Sequence, residues 1–99
     1  MLGRRRGRRW VEKLPPVNHF MPNIPYNRVV FLRVEEFEAI RPVYHIGLSQ
    51  QKATAQMGIS QKSLSNDRQN ARFKLAGALV HGKAIRIQGG NYAIENFIR

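Results

Sequence analysis

Lys62, Asn66 and Gln69 are spaced by four and three residues, so on a helix they share one side, with Ser65 beside them. Their chemistry is that of base reading. Asn and Gln can pair bidentately with adenine, Lys reaches the acceptor atoms of guanine, and a Ser hydroxyl donates or accepts. A second set suits a phosphate backbone: Arg4, Arg5, Arg6, Arg8 and Arg9 form a run broken only by Gly7, and Lys52, Arg72 and Lys74 flank the first set. Cations of this kind are expected on phosphates, where they position a protein without specifying sequence. Catalytic chemistry has no comparable footing. His19, His45 and His81 stand alone without ligand spacing, cysteine is absent, and no nucleophile sits beside a base, so no enzyme, metal or cofactor is expected.

The charge distribution points the same way. Of a net +11, residues 1–20 carry six Lys/Arg against one acid, 21–47 three against three, 48–80 five against one, and 81–99 three against one. The excess therefore gathers in a basic start and in the segment that holds the candidate base readers, which is the electrostatic footprint of a polyanion binder. With 42% hydrophobic residues the 99-residue chain has enough apolar material for one small domain.

To present one ridge, the base readers need a helix held from behind, and the sequence supplies its punctuation. Ser49 is placed to cap a helix over 49–57, Gly58 to take the positive φ of a tight turn, and Ser60 to cap a second helix running from Gln61 to about Val80. Leu48, Met57, Ile59 and Leu64 can fill the space between the two helices, and Ala53 lets them approach. This is the grammar of a helix-turn-helix, with the helix from Gln61 as the recognition helix. An ordinary helical hairpin is the structural alternative, but it does not account for the coincident charge. Taking Leu64 as inward, about 100° per residue turns Lys62, Asn66 and Gln69 outward and puts Leu64, Ala71, Leu75, Ala78 and Leu79 on one stripe. Asp67 and Arg68 fall near the inward side and need partners: Lys52 for Asp67, and Glu35, Glu36 or Glu38 for Arg68. Phe73 points outward, either merely exposed or against a second subunit or the proline-rich segment.

Around this unit, residues 3–10 are expected to be a mobile basic arm. Leu14–Pro25, with four prolines and two asparagines, is expected to wrap the surface without a regular ladder. Val29–Leu32 has the composition of a strand, and 35–46 the spacing of a first helix interrupted by Pro42. Ala84–Gln88 alternates as a strand, Gly89–Asn91 reads as a turn, and Tyr92–Ile98 as a returning strand. The expected fold is mainly α: a helix-turn-helix three-helix core with short flanking β-strands and a basic N-terminal arm. Residues 1–27 form the arm and proline-rich wrap, and 28–99 the helix-turn-helix domain with a C-terminal strand or hairpin.

Four blocks of the chain resemble a small prokaryotic family of predicted DNA-binding proteins whose helix-turn-helix is similar to region 4 of sigma factors. They are the Arg-rich start, Val29–Arg41, Gly47–Ala76, and His81–Tyr92 with its Gly-Lys-Ala-Ile-Arg-Ile and Gly-Gly-Asn-Tyr runs. The resemblance implies a role in transcription. The chain departs from the family pattern at Asp67 and Arg68, where an apolar pair is usual, at Lys52, Thr54 and Pro42, and at Gly7, where a cysteine is common.

The function expected is therefore that of a DNA-binding transcriptional regulator, reading the major groove with Lys62, Ser65, Asn66 and Gln69. Its Arg-rich arm would lie on phosphates or in the minor groove. The alternatives are an RNA- or ribosome-binding basic protein, a nonspecific nucleoid-associated protein, and an interaction module whose strands at 29–33 and 84–88 form a dimer surface or dock on transcription machinery. A homodimer is the preferred state, since two copies double a small reading surface. No segment approaches the roughly 18 apolar residues of a membrane span, so no membrane partner and a cytoplasmic, nucleoid-associated location are expected.

Overall fold

The basic start runs into Arg9–Val11, whose residues alternate in burial and form a short strand, β1, in the computed structural model, which describes residues 9–90 and 92–94. His19–Phe20 forms β2 and Val29–Leu32 forms β3. Val34–Ile40 is the first helix, α1, followed by a π-helical turn over Arg41–Ile46. Gln50–Met57 is α2, Gln61–His81 is α3, Ala84–Ile87 is β4 and Tyr92–Ile94 is β5. The result is helical at its centre with short strands around it.

The first helix is shorter than its apolar spacing suggests because of Pro42. A proline inside a helix has no N–H for the preceding turn and its ring crowds that turn's carbonyl, so α1 ends at Ile40 and the chain widens into a π-turn. Gly47 and Leu48 both turn their backbone N–H groups back to the Pro42 carbonyl, the latter at 2.9 Å.

The proline-rich segment does contribute to a ladder, contrary to expectation. β2 pairs antiparallel with β4, His19 opposite Arg86 and Phe20 opposite Ile85, while Pro15, Pro16, Pro22 and Pro25 flank this two-residue edge strand. β3 pairs parallel with β4 on its other side, from Val29 opposite Ala84 to Leu32 opposite Ile87. A parallel pair needs a long crossover, and α1, α2 and α3 together are that crossover. β4 is thus the central strand, with both edges occupied, and β3 is an outer strand of this three-stranded sheet.

β4 and β5 do not form the expected hairpin. Gly89 and Gly90 have φ of 77° and 111°, and the Gly89 carbonyl accepts from the Val34 N–H at the start of α1. A β-carbon on Gly90 would collide with the Glu35 carboxylate. The turn is thereby pinned against α1 and sends β5 away to pair parallel with β1, Arg9 opposite Tyr92 and Val11 opposite Ile94. The described end of the basic start is thus a strand of the fold from Arg9 onward; Arg4, Arg5, Arg6 and Arg8 lie outside the described residues.

Two apolar clusters hold these elements. Ala39, Ala53, Met57 and Leu64, backed by Val43 and Ile59, fill the corner between α1, α2 and the start of α3. Val11, Leu32, Val34, Ala71 and Ile87, backed by Phe37, Ile40, Leu75, Ile85 and Tyr92, join the strands to the middle of α3. At its C-terminal end α3 turns Ala78 inward, and Leu79, expected on the buried stripe, is 80% exposed. There α3 has only the edge of the small sheet beneath it, and one residue per turn suffices to touch it.

Candidate nucleic-acid interface

α2 and α3 are each started by a serine whose Oγ accepts a backbone N–H three residues on, Ser49 from Lys52 at 3.2 Å and Ser60 from Ser63 at 3.1 Å. Between them Gly58 closes α2 in the left-handed conformation, φ 70°, where an L side chain is strained. The Trp10 indole lies against this turn: a β-carbon at position 58 would stand 3.1 Å from its Cδ1. With Ala53, Met57 and Leu64 fully buried beneath, α2 and α3 form a packed helix-turn-helix corner.

On α3 the sequence-derived base readers fall as expected in direction. Lys62, Asn66 and Gln69 are exposed and Ser65 half-buried, while Leu64, Asp67 and Ala71 face inward. Phe73 is 82% exposed on the continuation of the same ridge. Lys52 is exposed on α2, and its ammonium has no partner among the described residues. Arg72 is exposed and donates through Nη1 to the Tyr44 hydroxyl at 2.8 Å.

Two of the expected phosphate contacts are used inside the domain instead. Lys74 Nζ donates to Glu36 Oε1 at 2.8 Å and to the Phe31 carbonyl at 3.0 Å, tying α3 to α1 and β3. Arg9 grips Asp67 with two bonds, Nε to Oδ2 at 2.9 Å and Nη2 to Oδ1 at 3.2 Å, with side chains only 13% and 4% exposed. This bidentate pair answers the need for a partner at Asp67, in place of Lys52. Arg68 finds no carboxylate among the described residues. The Gln50 amide oxygen, in the orientation that suits both groups, accepts from its Nη1 and Nη2 at 2.8 and 3.1 Å. The Tyr44 ring centroid lies 5.9 Å from its guanidinium carbon, and its Nε is buried without a hydrogen bond among the described residues.

The glutamates expected for Arg68 are taken by other cations. Arg33 bonds Glu35 and Glu36, and Arg41 bonds Glu38 and Glu12. Burial pushes the Glu36 carboxyl up, but hydrogen bonds from Lys74 and from the Arg33 backbone and guanidinium outweigh it and hold it below its ordinary range. The Glu38 bond, against burial, raises Arg41; Arg33 is lowered by burial yet raised further by Glu36, Glu35 and Asp67. Each of the acids Glu12, Glu35, Glu36, Glu38 and Asp67 is thus paired internally, and the cationic surplus, Lys52 and Lys62 included, is left at the surface. The tethering role of Arg9 and Trp10 was missed from sequence. The one usable signal was the change, right after the arginine run, to the apolar pair Trp10-Val11. Among the described residues no group of three potential metal ligands is present, and no helix is long and apolar enough to cross a membrane.

The sequence profile of a family described as "Protein of unknown function DUF134" matches residues 1–95. The chain is similar to a UPF0251 protein of Caldicellulosiruptor bescii, 47% identical over 88 residues that make up 89% of this chain and 63% of the relative. It is also similar to UPF0251 proteins of Methanosarcina acetivorans, 45% identical over 93 residues (91% and 83%), and of Methanocella arvoryzae, 46% identical over 91 residues (89% and 55%). It therefore spans less than two thirds of the first and third of these relatives. No solved structure matches.

Proposed function

The chain belongs to the DUF134 family of proteins of unknown function, and from the geometry of its α2–turn–α3 corner we propose that it binds duplex DNA with α3 as the recognition helix, as a transcriptional regulator does. The observation that carries this reading is the ridge of Lys62, Asn66 and Gln69, exposed along one side of α3 while Leu64, Asp67 and Ala71 anchor the other. These three can meet base edges in the major groove, with Ser65 adapting beside them. Lys52 on α2 and Arg72 further along α3 are the described cations suited to phosphate. Arg9, the last arginine of the basic run, is bonded to Asp67 of α3, and Arg4, Arg5, Arg6 and Arg8 come just before it in the sequence.

The test is a competition between a random duplex DNA pool and structured RNA at two salt concentrations, read by fluorescence anisotropy. It is repeated with Lys62, Asn66 and Gln69 changed together to Ala. Duplex DNA is expected to win, and the triple variant to weaken binding about tenfold or more, since each good base contact contributes about 1–3 kcal/mol. All three residues are exposed, so the fold is unaffected. A win for RNA, with the triple change silent, refutes the recognition-helix reading.

A further inference from the structure

On another side of α3 a groove of about 910 Å³ opens between α1, the π-turn and the segment after β1. Its floor is apolar, made by Phe37, Ile40 and Leu75, and its wall by Ile46, 52% exposed, and Tyr44. The π-turn forced by Pro42 creates this wall, and such turns recur at functional sites. Cations stand at its rim, and among the described residues no carboxylate lines it. Among the described residues Lys13 has no partner and Arg72 bonds only the neutral Tyr44 hydroxyl, whereas Arg41 is already neutralised by Glu38 and Glu12.

We propose that this groove is a binding site for a small amphipathic anion, an organic acid whose head meets Arg72 and Lys13 and whose hydrocarbon or aromatic body covers Ile40, Ile46 and Leu75. The volume lies in the range of small-molecule sites, which are mostly apolar with a few placed polar groups. Charge complementarity selects the sign of the occupant, since two uncompensated cations repel a positive ligand. The apolar floor selects its body: inorganic phosphate or a nucleic-acid backbone would leave Phe37, Ile40 and Leu75 uncovered and gain nothing from them.

The test uses the full chain without nucleic acid, so it stands or falls apart from the DNA-binding reading. Decanoate is titrated by calorimetry, with decylammonium and inorganic phosphate as comparisons. Amide chemical shifts locate the site, and thermal melts check that each variant folds. Decanoate is expected to bind saturably, one per chain, and at least about tenfold more tightly than either comparison ligand. Ile46→Asp and Lys13→Glu, both at exposed positions, should each weaken it about tenfold, whereas Phe73→Ser on the DNA-facing ridge should leave it unchanged. Equal binding of decylammonium or phosphate overturns the proposal. So does loss of binding in Phe73→Ser with Ile46→Asp silent, and so does the absence of saturable binding, which would leave the groove to a protein surface.

Discussion

The helix-turn-helix corner and the strand scaffold are held together by different means. In the corner, Ala39, Ala53, Met57 and Leu64 pack within 25 residues of one another, and Ser49, Gly58 and Ser60 set the ends of the helices over three or four residues. In the scaffold, β1, β2 and β3 come from the first third of the chain and β4 and β5 from its end. They are joined by parallel and antiparallel pairings, and Lys74 of α3 is tied to β3 through the Phe31 carbonyl and to α1 through Glu36. The corner is specified by neighbours, whereas the scaffold is specified by meetings between distant segments. The structure also shows that the corner is not self-sufficient. Its long helix α3 runs from one cluster into the other, and Arg9 of β1 reaches across to Asp67.

The largest expected effect breaks the corner directly. Leu64 has no exposure and touches the small Ala39 and Ala53, which cannot refill its space. Leu64→Ala should remove about 3 kcal/mol of stability in urea denaturation, and a loss below about 1 kcal/mol would mean that the corner is held chiefly by the scaffold.

The joint between the two regions comes next. Asp67→Ala removes both hydrogen bonds from Arg9 to α3, and because Arg9 keeps some water contact the loss should fall below the 3–5 kcal/mol typical of broken buried pairs, at about 2 kcal/mol. Trp10, the single tryptophan, sits on the adjacent turn, so its fluorescence should shift to the red as β1 loosens. An unchanged Trp10 spectrum, with stability intact, would show that the pair does not couple β1 to the corner.

The smallest effect sharpens the contrast from the scaffold side. Glu36 is held below its ordinary carboxyl value near 4.5, so the stability it contributes is complete above about pH 4.5 and is lost as pH falls through the lowered value. Acid should therefore loosen the contact between α1, β3 and α3 through Lys74. Glu36→Gln should flatten that part of the stability profile, and a profile identical to that of the unaltered chain would remove Glu36 from the account.

Much of the corner was legible because its signals are local. Ser49, Gly58 and Ser60 act on backbone groups within one turn, and the spacing of Leu64, Ala71 and Ala78 follows from helical period alone. The inward turn of Asp67 and the outward turn of Phe73 were legible for the same reason. What stayed hidden was who meets whom. Nothing local distinguishes Arg9 from Lys52 as the partner of Asp67, or makes Lys74 a link to Glu36 rather than a free cation. With 17 Lys and Arg against 6 acids, the sequence admits many pairings.

By itself, then, the sequence determined the capped helices, the turn at Gly58 and the polar ridge of α3, since hydrogen bonds and side-chain directions a few residues apart depend only on the residues between them. Only the tertiary structure decided that β4 lies between β2 and β3, that β5 abandons β4 for β1, and that the arginine run is fastened at Arg9. Those outcomes turn on which distant segments can close on one another with their apolar sides covered and their charges matched, and a short strand carries no mark of its partner.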